Sequence, residues 1–367
     1  PFRQMFRRGD RVVIVVSDVT RLWVRSDFFL PILLDELNAA GIPDEDVAIV
    51  FATGDHRSQT PEEHRLIVGQ AVLGRVRVYD HDCQASDLAD LGRSSRGTPV
   101  LINRMVYEAP KLIITGGISY HLLAGFGGGR KSIAPGVAGY ATIQGNHGLA
   151  LAAPAGAVGA GLTAGNPVAE DMDEIAAMVA PDFLLNVVVN ENKEFIGIVA
   201  GHWRRAHAAG TKIAEAAFAV KIRERADVVV VSCGGYPKDI QLYQAIKALD
   251  NADYAARDGG SIILVSECFD GPGPEAFLRW FEYPAYEEMS RALAAAFTMP
   301  GFVALRTKQI LTKKTVYLVS GLDRSMAARV GMRPAESVAE ALAAALPATG
   351  GVVQIMPHGS LTYPRLE

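Results

Sequence analysis

Six short runs of this 367-residue chain are apolar at nearly every position: residues 11–16 (RVVIVV), 47–52 (VAIVFA), 111–115 (KLIIT), 226–232 (ADVVVVS), 260–266 (GSIILVS) and 315–320 (TVYLVS). A strand with one wet face alternates apolar and polar side chains, whereas a strand covered on both faces does not. These runs therefore predict parallel strands lying between helices, and helical spacing does follow them. Residues 28–40 place Phe29, Ile32, Leu33 and Leu37 at helical intervals and stop at Gly41. Thr60, Pro61 and Glu63 spell a capped helix start, with a threonine to accept an amide, a proline in the first turn and a glutamate to reach back. Residues 75–79 and 98–103 read as shorter edge strands. The expected fold class is α/β, two α/β domains with mainly parallel sheets, and the length accommodates both at about 100–200 residues each. Their bounds are read as 1–220 and 221–350, with 351–367 supplying a strand that returns to either.

Hydrophobic residues make up 49% and charged residues 21%, the balance of a soluble globular protein. A formal net charge of -4, without lysine–arginine runs, leaves no basic field for nucleic acid. No apolar run approaches the roughly 20 residues of a membrane span, and the opening PFRQMFRRGD has no signal-peptide core. It begins abruptly before the first strand, so the natural start is expected upstream. Cys83, Cys233 and Cys268 form neither a CxxC pair nor a disulfide framework, which fits a reducing cytoplasm. Each reads as a buried apolar side chain before it reads as a nucleophile.

Function is expected where the strands end, because ligands of open α/β sheets bind outside the carboxyl ends of the strands. Residues 17–21 (SDVTR) and 53–57 (TGDHR) are two such polar ends. The third, residues 116–148, is read as a loop-rich stretch and packs ten glycines, two histidines, one arginine and one lysine. Each glycine in a regular element costs roughly 0.5–1 kcal/mol of chain entropy. Such density predicts a backbone that comes close to a bound guest, with His121, Lys131 and His147 around it.

Within that stretch, residues 125–132 (GFGGGRKS) miss the P-loop pattern by one position, since Arg130 stands where G-x-x-x-x-G-K-[ST] needs glycine. Amides of a glycine-rich turn still form an anion nest, so a phosphate nearby fits where an ATP or GTP site does not. Taken singly, His56, His121 and His147 read as hydrogen-bonded loop histidines; together, at strand ends beside lysine and arginine, they read as a site. A zinc hydrolase would need three ligands and a carboxylate base, and the spacing of Asp18 and Asp55 does not favour one. His64 and His207 fall on predicted helices and are expected to be solvated. His81 and His202 lack catalytic companions, and His358 in PHGS stays a candidate. Arg21, beside Asp18, is expected to bind a carboxylate through its planar fork. Lys247, three residues after Gln244 on one helix face, has that chemistry but no position to recommend it.

Taken in order, residues 17–21, 52–57 (ATGDHR), 121–136 (HLLAGFGGGRKSIAPG), 144–147 (QGNH), 165–172 (GNPVAEDM) and 234–247 (GGYPKDIQLYQAIK) resemble the motifs of the nickel-dependent lactate racemase family. The ten-residue step from His121 to Lys131 and the sixteen-residue step on to His147 are specific, and the resemblance runs over most of the chain. It implies a two-domain α/β protein with the active site in the inter-domain cleft. The implied cofactor is the nickel-pincer nucleotide, a pyridinium-3-thioamide-5-thiocarboxylic acid mononucleotide whose sulfur arms and ring carbon hold nickel. By matching position, Lys131 is its covalent attachment point and His147 the protein ligand to nickel. Asp18, Gly128, Gly129 and Ser132 are the implied cofactor contacts, and His56 and His121 the acid–base pair. Arg21, Gln244 and Lys247 would hold the substrate carboxylate and hydroxyl. The implied partners are a small 2-hydroxy acid and, transiently, the enzymes that build the cofactor.

The implied reaction is racemisation or epimerisation of a 2-hydroxy acid by proton-coupled hydride transfer. Removing the carbon-bound hydrogen as a proton would build negative charge beside a carboxylate; hydride departure leaves a flat 2-keto acid instead. Two faces then require two imidazoles titrating near neutrality. A third must be neutral to ligate a soft, sulfur-bound metal, and positive groups hold the keto acid in place. Leu22 and Trp23 follow Arg21 where the family often has proline. Leu123 and Gly127 stand where lactate-specific members are often bulkier, which is expected to make room for malate, a longer hydroxy acid or an aldonic acid. Two other functions compete. One is a non-catalytic carrier of the nucleotide, which has no use for both His56 and His121; the other is a nucleotide-binding phosphotransferase, which Arg130 disfavours.

Overall fold

The structure is a computed structural model that describes residues 2–154, 156–236, 238–348 and 350–367. The chain divides into two compact units, Pro1–Ala217 and Phe218–Glu367. In the first, six strands make one sheet in the order Phe195–Gly201, Phe183–Val189, Lys111–Gly117, Val12–Ser17, Val47–Ala52, Arg77–Asp80. Five run parallel; the outermost, Phe195–Gly201, is antiparallel to Phe183–Val189. The register sets Ile14 beside Ile49 and Ile113, all three fully buried. Both faces are covered, which is why these runs do not alternate.

The helix Ser26–Ala39 turns Phe29, Leu30, Leu33, Leu34 and Leu37 inward. Ile32, expected on the core face, is 54% exposed. At 100° per residue the buried stripe is centred between Leu30 and Leu37, and Ile32 points away from it. The start of Pro61–Val68 forms as its residues predict: the Thr60 hydroxyl accepts the Glu63 amide at 3.2 Å, and the Glu63 carboxylate accepts the Thr60 amide at 2.7 Å.

Because the three central strands are parallel neighbours, the residues after Ser17, Ala52 and Gly117 emerge at one edge of the sheet. The reading of residues 116–148 as loop is corrected at its end, since Tyr140–Ala152 is an α-helix with Gly145 and Gly148 inside it. A Cβ on Gly145 would lie 3.1 Å from Thr98 Cγ2 and 3.2 Å from Pro99 Cδ. That glycine lets the helix approach a neighbouring segment; it does not unwind the helix. Pro99–Ile102 pairs with Ala89–Arg93 in a separate antiparallel ribbon and does not edge the main sheet.

The second unit holds a parallel five-stranded sheet, in the order Arg333–Ala335, Thr315–Val319, Ala256–Val265, Ala226–Ser232, Val353–Met356. The returning strand Val353–Met356 thus joins this unit, and Tyr363–Leu366 pairs with Ala219–Ile222 in the same unit. All three cysteines are free thiols, with Cys233 and Cys268 buried. Among the described residues no helix is long and apolar enough to cross a membrane.

Candidate active site

Asp18 organises the first cluster at the sheet edge. It follows Val12–Ser17 and precedes a short 3-10 turn, Val19–Val24, which its side chain does not cap. One carboxylate oxygen accepts the Thr20 hydroxyl at 2.6 Å; the other meets His56 Nδ1 at 2.5 Å, from the end of the adjacent strand. Gln59 ties the same two loops, its Oε1 accepting the Val19 amide at 3.1 Å. Burial alone would push the Asp18 carboxyl up, but the hydrogen bonds from His56 and Thr20 and the charges of His56 and Arg21 hold it below the ordinary carboxylate value. In return the bond to Asp18 raises the His56 imidazole above its usual 6.5, with burial opposing and the charges of Asp18 and Asp55 assisting. The His56 ring is 49% exposed. With Nδ1–H committed to the carboxylate, Nε2 is the atom left to gain or lose a proton.

The turn Gly129–Ser132 carries Lys131, and its neighbours are tied down within the protein. The Gly129 amide donates to Asn186 Oδ1 and the Ser132 hydroxyl to the Thr115 carbonyl, each at 2.7 Å. Arg130 is buried; it donates to the Ala124 carbonyl at 2.8 Å and to His207 Nδ1 at 3.3 Å, and lies 3.4 Å from Asp173. His207 Nε2–H completes the strut by donating to the Gly127 carbonyl at 2.9 Å. A Cβ on Gly128 would sit 2.6 Å from Asn186 Oδ1, and one on Gly129 would sit 2.6 Å from the His207 ring. On their Cβ sides these two glycines are packed against Asn186 and His207, which leaves no room for a side chain at either position. Gly129→Ala, with φ at 55° as well as the clash, is expected to cost roughly 2–4 kcal/mol. A urea midpoint unchanged in that variant would mean the turn yields easily.

His207 was expected to be solvated and is instead buried on the helix Trp203–Phe218. Burial first, then the Arg130 charge, pushes its imidazole down to about 4, so it is a neutral strut. Sequence held a signal for it, since Trp203, His207, Gly210 and Ala214 form the buried stripe of that helix. His64 is half-buried; it stacks on Phe51 at 4.7 Å and bonds to Asp80 at 3.1 Å.

The Lys131 amine differs from a surface lysine. Burial above all, with the charges of Arg21 and Arg130 and against that of Asp55, lowers it from 10.5 to about 7. Far more of it is then uncharged and nucleophilic at neutral pH than of a surface lysine. His147 lies buried on Tyr140–Ala152, where burial and then the Lys131 charge lower its imidazole to about 3. It is neutral at any ordinary pH. The adjoining Asn146 pins this helix, donating to Asp171 at 2.8 Å and to the Val168 carbonyl at 3.1 Å, while Asp171 also accepts the Ser94 hydroxyl at 2.5 Å. Asp55 and Arg21 act on both His56 and Lys131, so Asp18, Arg21, Asp55, His56, Lys131 and His147 share one electrostatic neighbourhood.

His121 sits in a two-strand ribbon of Tyr120–His121 with Gly125–Phe126, and its Nδ1 accepts the amides of Leu123 and Ala124, each at 3.2 Å. Leu123 is fully buried, and a Cβ on Gly127 would meet the Gly117 carbonyl at 3.3 Å. Neither residue lines open space, so the expectation that they enlarge the substrate site is corrected. Gln244 and Lys247 belong to the second unit, on the helix Leu242–Ala255, and the Lys247 ammonium donates to Gln244 Oε1 at 2.7 Å.

The parallel sheets and the titrating groups gathered at one strand edge are the layout of an α/β enzyme. Residues 1–159 match the lactate racemase N-terminal domain, and residues 221–360 the lactate racemase C-terminal domain. The lactate racemase of Thermoanaerobacterium thermosaccharolyticum is 32% identical over 357 residues, covering 95% of this chain and 83% of that protein. That of Lactiplantibacillus plantarum is 32% identical over 368 residues, covering 97% and 85%. The structure of the lactate racemase apoprotein from T. thermosaccharolyticum superposes with a TM-score of 0.91 at 31% identity, over 99% of this chain and 88% of that one. A crystal structure of a Thermotoga maritima protein shares the fold at a TM-score of 0.70 and 18% identity, over 100% of this chain and 96% of that one. The chain belongs to the lactate racemase family, and with it to the racemases among the isomerases.

Proposed function

We propose that this protein racemises or epimerises a 2-hydroxy acid with a nickel-pincer nucleotide bound through Lys131. The reading is carried by the matches to both lactate racemase domains and by two groups of one electrostatic neighbourhood that burial holds toward their neutral forms, the Lys131 amine and the His147 imidazole. The amine can be acylated and the imidazole can ligate a soft metal. Among the described residues no three His, Cys, Asp or Glu side chains gather as a metal set. A metal at His147 would therefore take its other donors from the bound group, which fits a nucleotide that brings its own sulfur and carbon ligands. When bound, the nucleotide supplies a hydride acceptor.

The rest falls to this chain. Asp18 holds His56 so that Nε2 can take the hydroxyl proton, and His121 serves the opposite face. The guanidinium of Arg21 binds the carboxylate. A carrier of the nucleotide would have no use for the Asp18–His56 pair. A phosphotransferase is disfavoured because the Gly129 amide, which a phosphate cradle would need, is spent on Asn186. Lactate is the first substrate to try, and malate, longer hydroxy acids and aldonic acids the next.

The test is co-expression with the cofactor-building enzymes, followed by intact mass, nickel content and a screen of chiral hydroxy acids. Absence of any adduct, or an adduct with no racemisation of any acid, sinks the reading. His147→Ala is expected to keep the organic adduct and lose at least nine-tenths of the nickel, in line with the removal of a metal ligand; full nickel content would remove His147 from the metal.

A further inference from the structure

His56 and His121 are held in opposite tautomers. His56 directs Nδ1 at the Asp18 carboxylate, 2.5 Å away, so its proton sits on Nδ1 and a neutral ring bears its lone pair on Nε2. His121 directs Nδ1 at two backbone N–H groups, those of Leu123 and Ala124, each at 3.2 Å. An N–H cannot accept a hydrogen bond, so His121 Nδ1 must carry the lone pair and Nε2 the proton. The ring nitrogen stands where the side-chain oxygen stands in an Asx turn, reaching the amides two and three residues on. Leu123 and Ala124 are buried, so losing that acceptor would leave two amides to be satisfied in a dry place.

We infer that the two imidazoles are unlike at rest, His56 offering a base and His121 a hydrogen-bond donor, with the amides of Leu123 and Ala124 as the groups that impose the difference. The consequence for turnover rests on the acid–base roles given under Proposed function; the tautomers do not. A hydroxyl proton passes to His56 Nε2 without rearrangement, giving an imidazolium whose Nδ1–H stays on Asp18. His121 can take a proton at Nε2 only after its own has moved to Nδ1, which gives up both amide bonds. For an acid with one stereocentre the enantiomers have equal free energy, so kcat/KM is the same in both directions. The inequality therefore shows in kcat and KM, both larger for the same enantiomer.

The experiment uses the full chain without cofactor. Long-range proton–nitrogen NMR of histidine-labelled protein, at an alkaline pH where His56 is neutral and with assignments from His56→Gln and His121→Asn, is expected to show His121 protonated on Nε2 and His56 on Nδ1. Amide exchange at Leu123 and Ala124 is expected to quicken on the order of tenfold in His121→Ala and to return to the wild-type rate in His121→Asn, whose carbonyl replaces Nδ1. A His121 ring protonated on Nδ1, or unchanged exchange in a folded His121→Ala chain, overturns the inference. Racemisation persisting in loaded His121→Ala would instead defeat the acid–base reading and leave the tautomers standing.

Discussion

A Lys131→Ala chain made beside the cofactor-building enzymes is expected to emerge at bare polypeptide mass, with no racemisation above background. Nucleophilicity, more than charge, is the reason. Burial and the neighbouring Arg21 and Arg130 bring this amine to about 7, so near neutrality it has a lone pair to give. Lys131→Arg keeps the positive charge but cannot be deprotonated, and is expected to remain equally bare. An adduct retained on either variant would disprove attachment at this position. The same shift has a sign in stability. The unfolded amine, with an ordinary value of 10.5, binds more protons than the folded one between about pH 7 and 10.5. Wild type without cofactor should therefore gain stability relative to Lys131→Met as pH rises through that window, and urea midpoints at pH 7 and pH 10 would report it.

Loss of the Asp18–His56 pair should be the second large effect. His56→Ala is expected to keep the adduct and lower turnover about 10²–10⁴-fold, the usual contribution of a general acid–base. Asp18→Asn is expected to do nearly as much for a different reason: an asparagine amide can donate to Nδ1, moving the ring proton to Nε2 and removing the base. Whatever activity survives should show its acid limb at lower pH, because the bond that raises the His56 pKa is gone. The stability sign follows from both partners. Asp18, held below 3.8, contributes above that value and loses the contribution as pH falls through its folded pKa; His56, held above 6.5, contributes below that value and loses it as pH rises through its own. Asp18→Asn should therefore destabilise most between about pH 4 and 6.5. Thermal melts showing the same difference at pH 5 and pH 9 would contradict the pairing.

Much of this was legible because it is local. Continuous β-branched runs marked the buried parallel strands, and Thr60 to Glu63 marked a helix start that forms with both bonds of its cap. The polar clusters after Ser17, Ala52 and Gly117 were visible as strand ends, and parallel pairing brings them to one edge. Glycine misled, since its two uses look alike in a sequence. Gly145 lies inside a helix that presses on Thr98 and Pro99, whereas Gly128 and Gly129 give Asn186 and His207 room to pack against the turn. The burial of His207, by contrast, is legible, because helix spacing places it on one stripe with Trp203 and Gly210.

The amino-acid order by itself determined the fold class, the strand ends and the set of groups able to carry chemistry, because periodicity and residue type act over a few neighbouring positions. Only the tertiary structure decided their states. It set the Asp18 carboxylate against His56, lowered the Lys131 amine toward neutrality, buried His147 deeply enough to keep it uncharged, and turned two backbone amides onto His121. Protonation depends on which charges, dipoles and solvent lie within a few ångströms, and chain folding brings those neighbours from positions as far apart as Asp18 and His56.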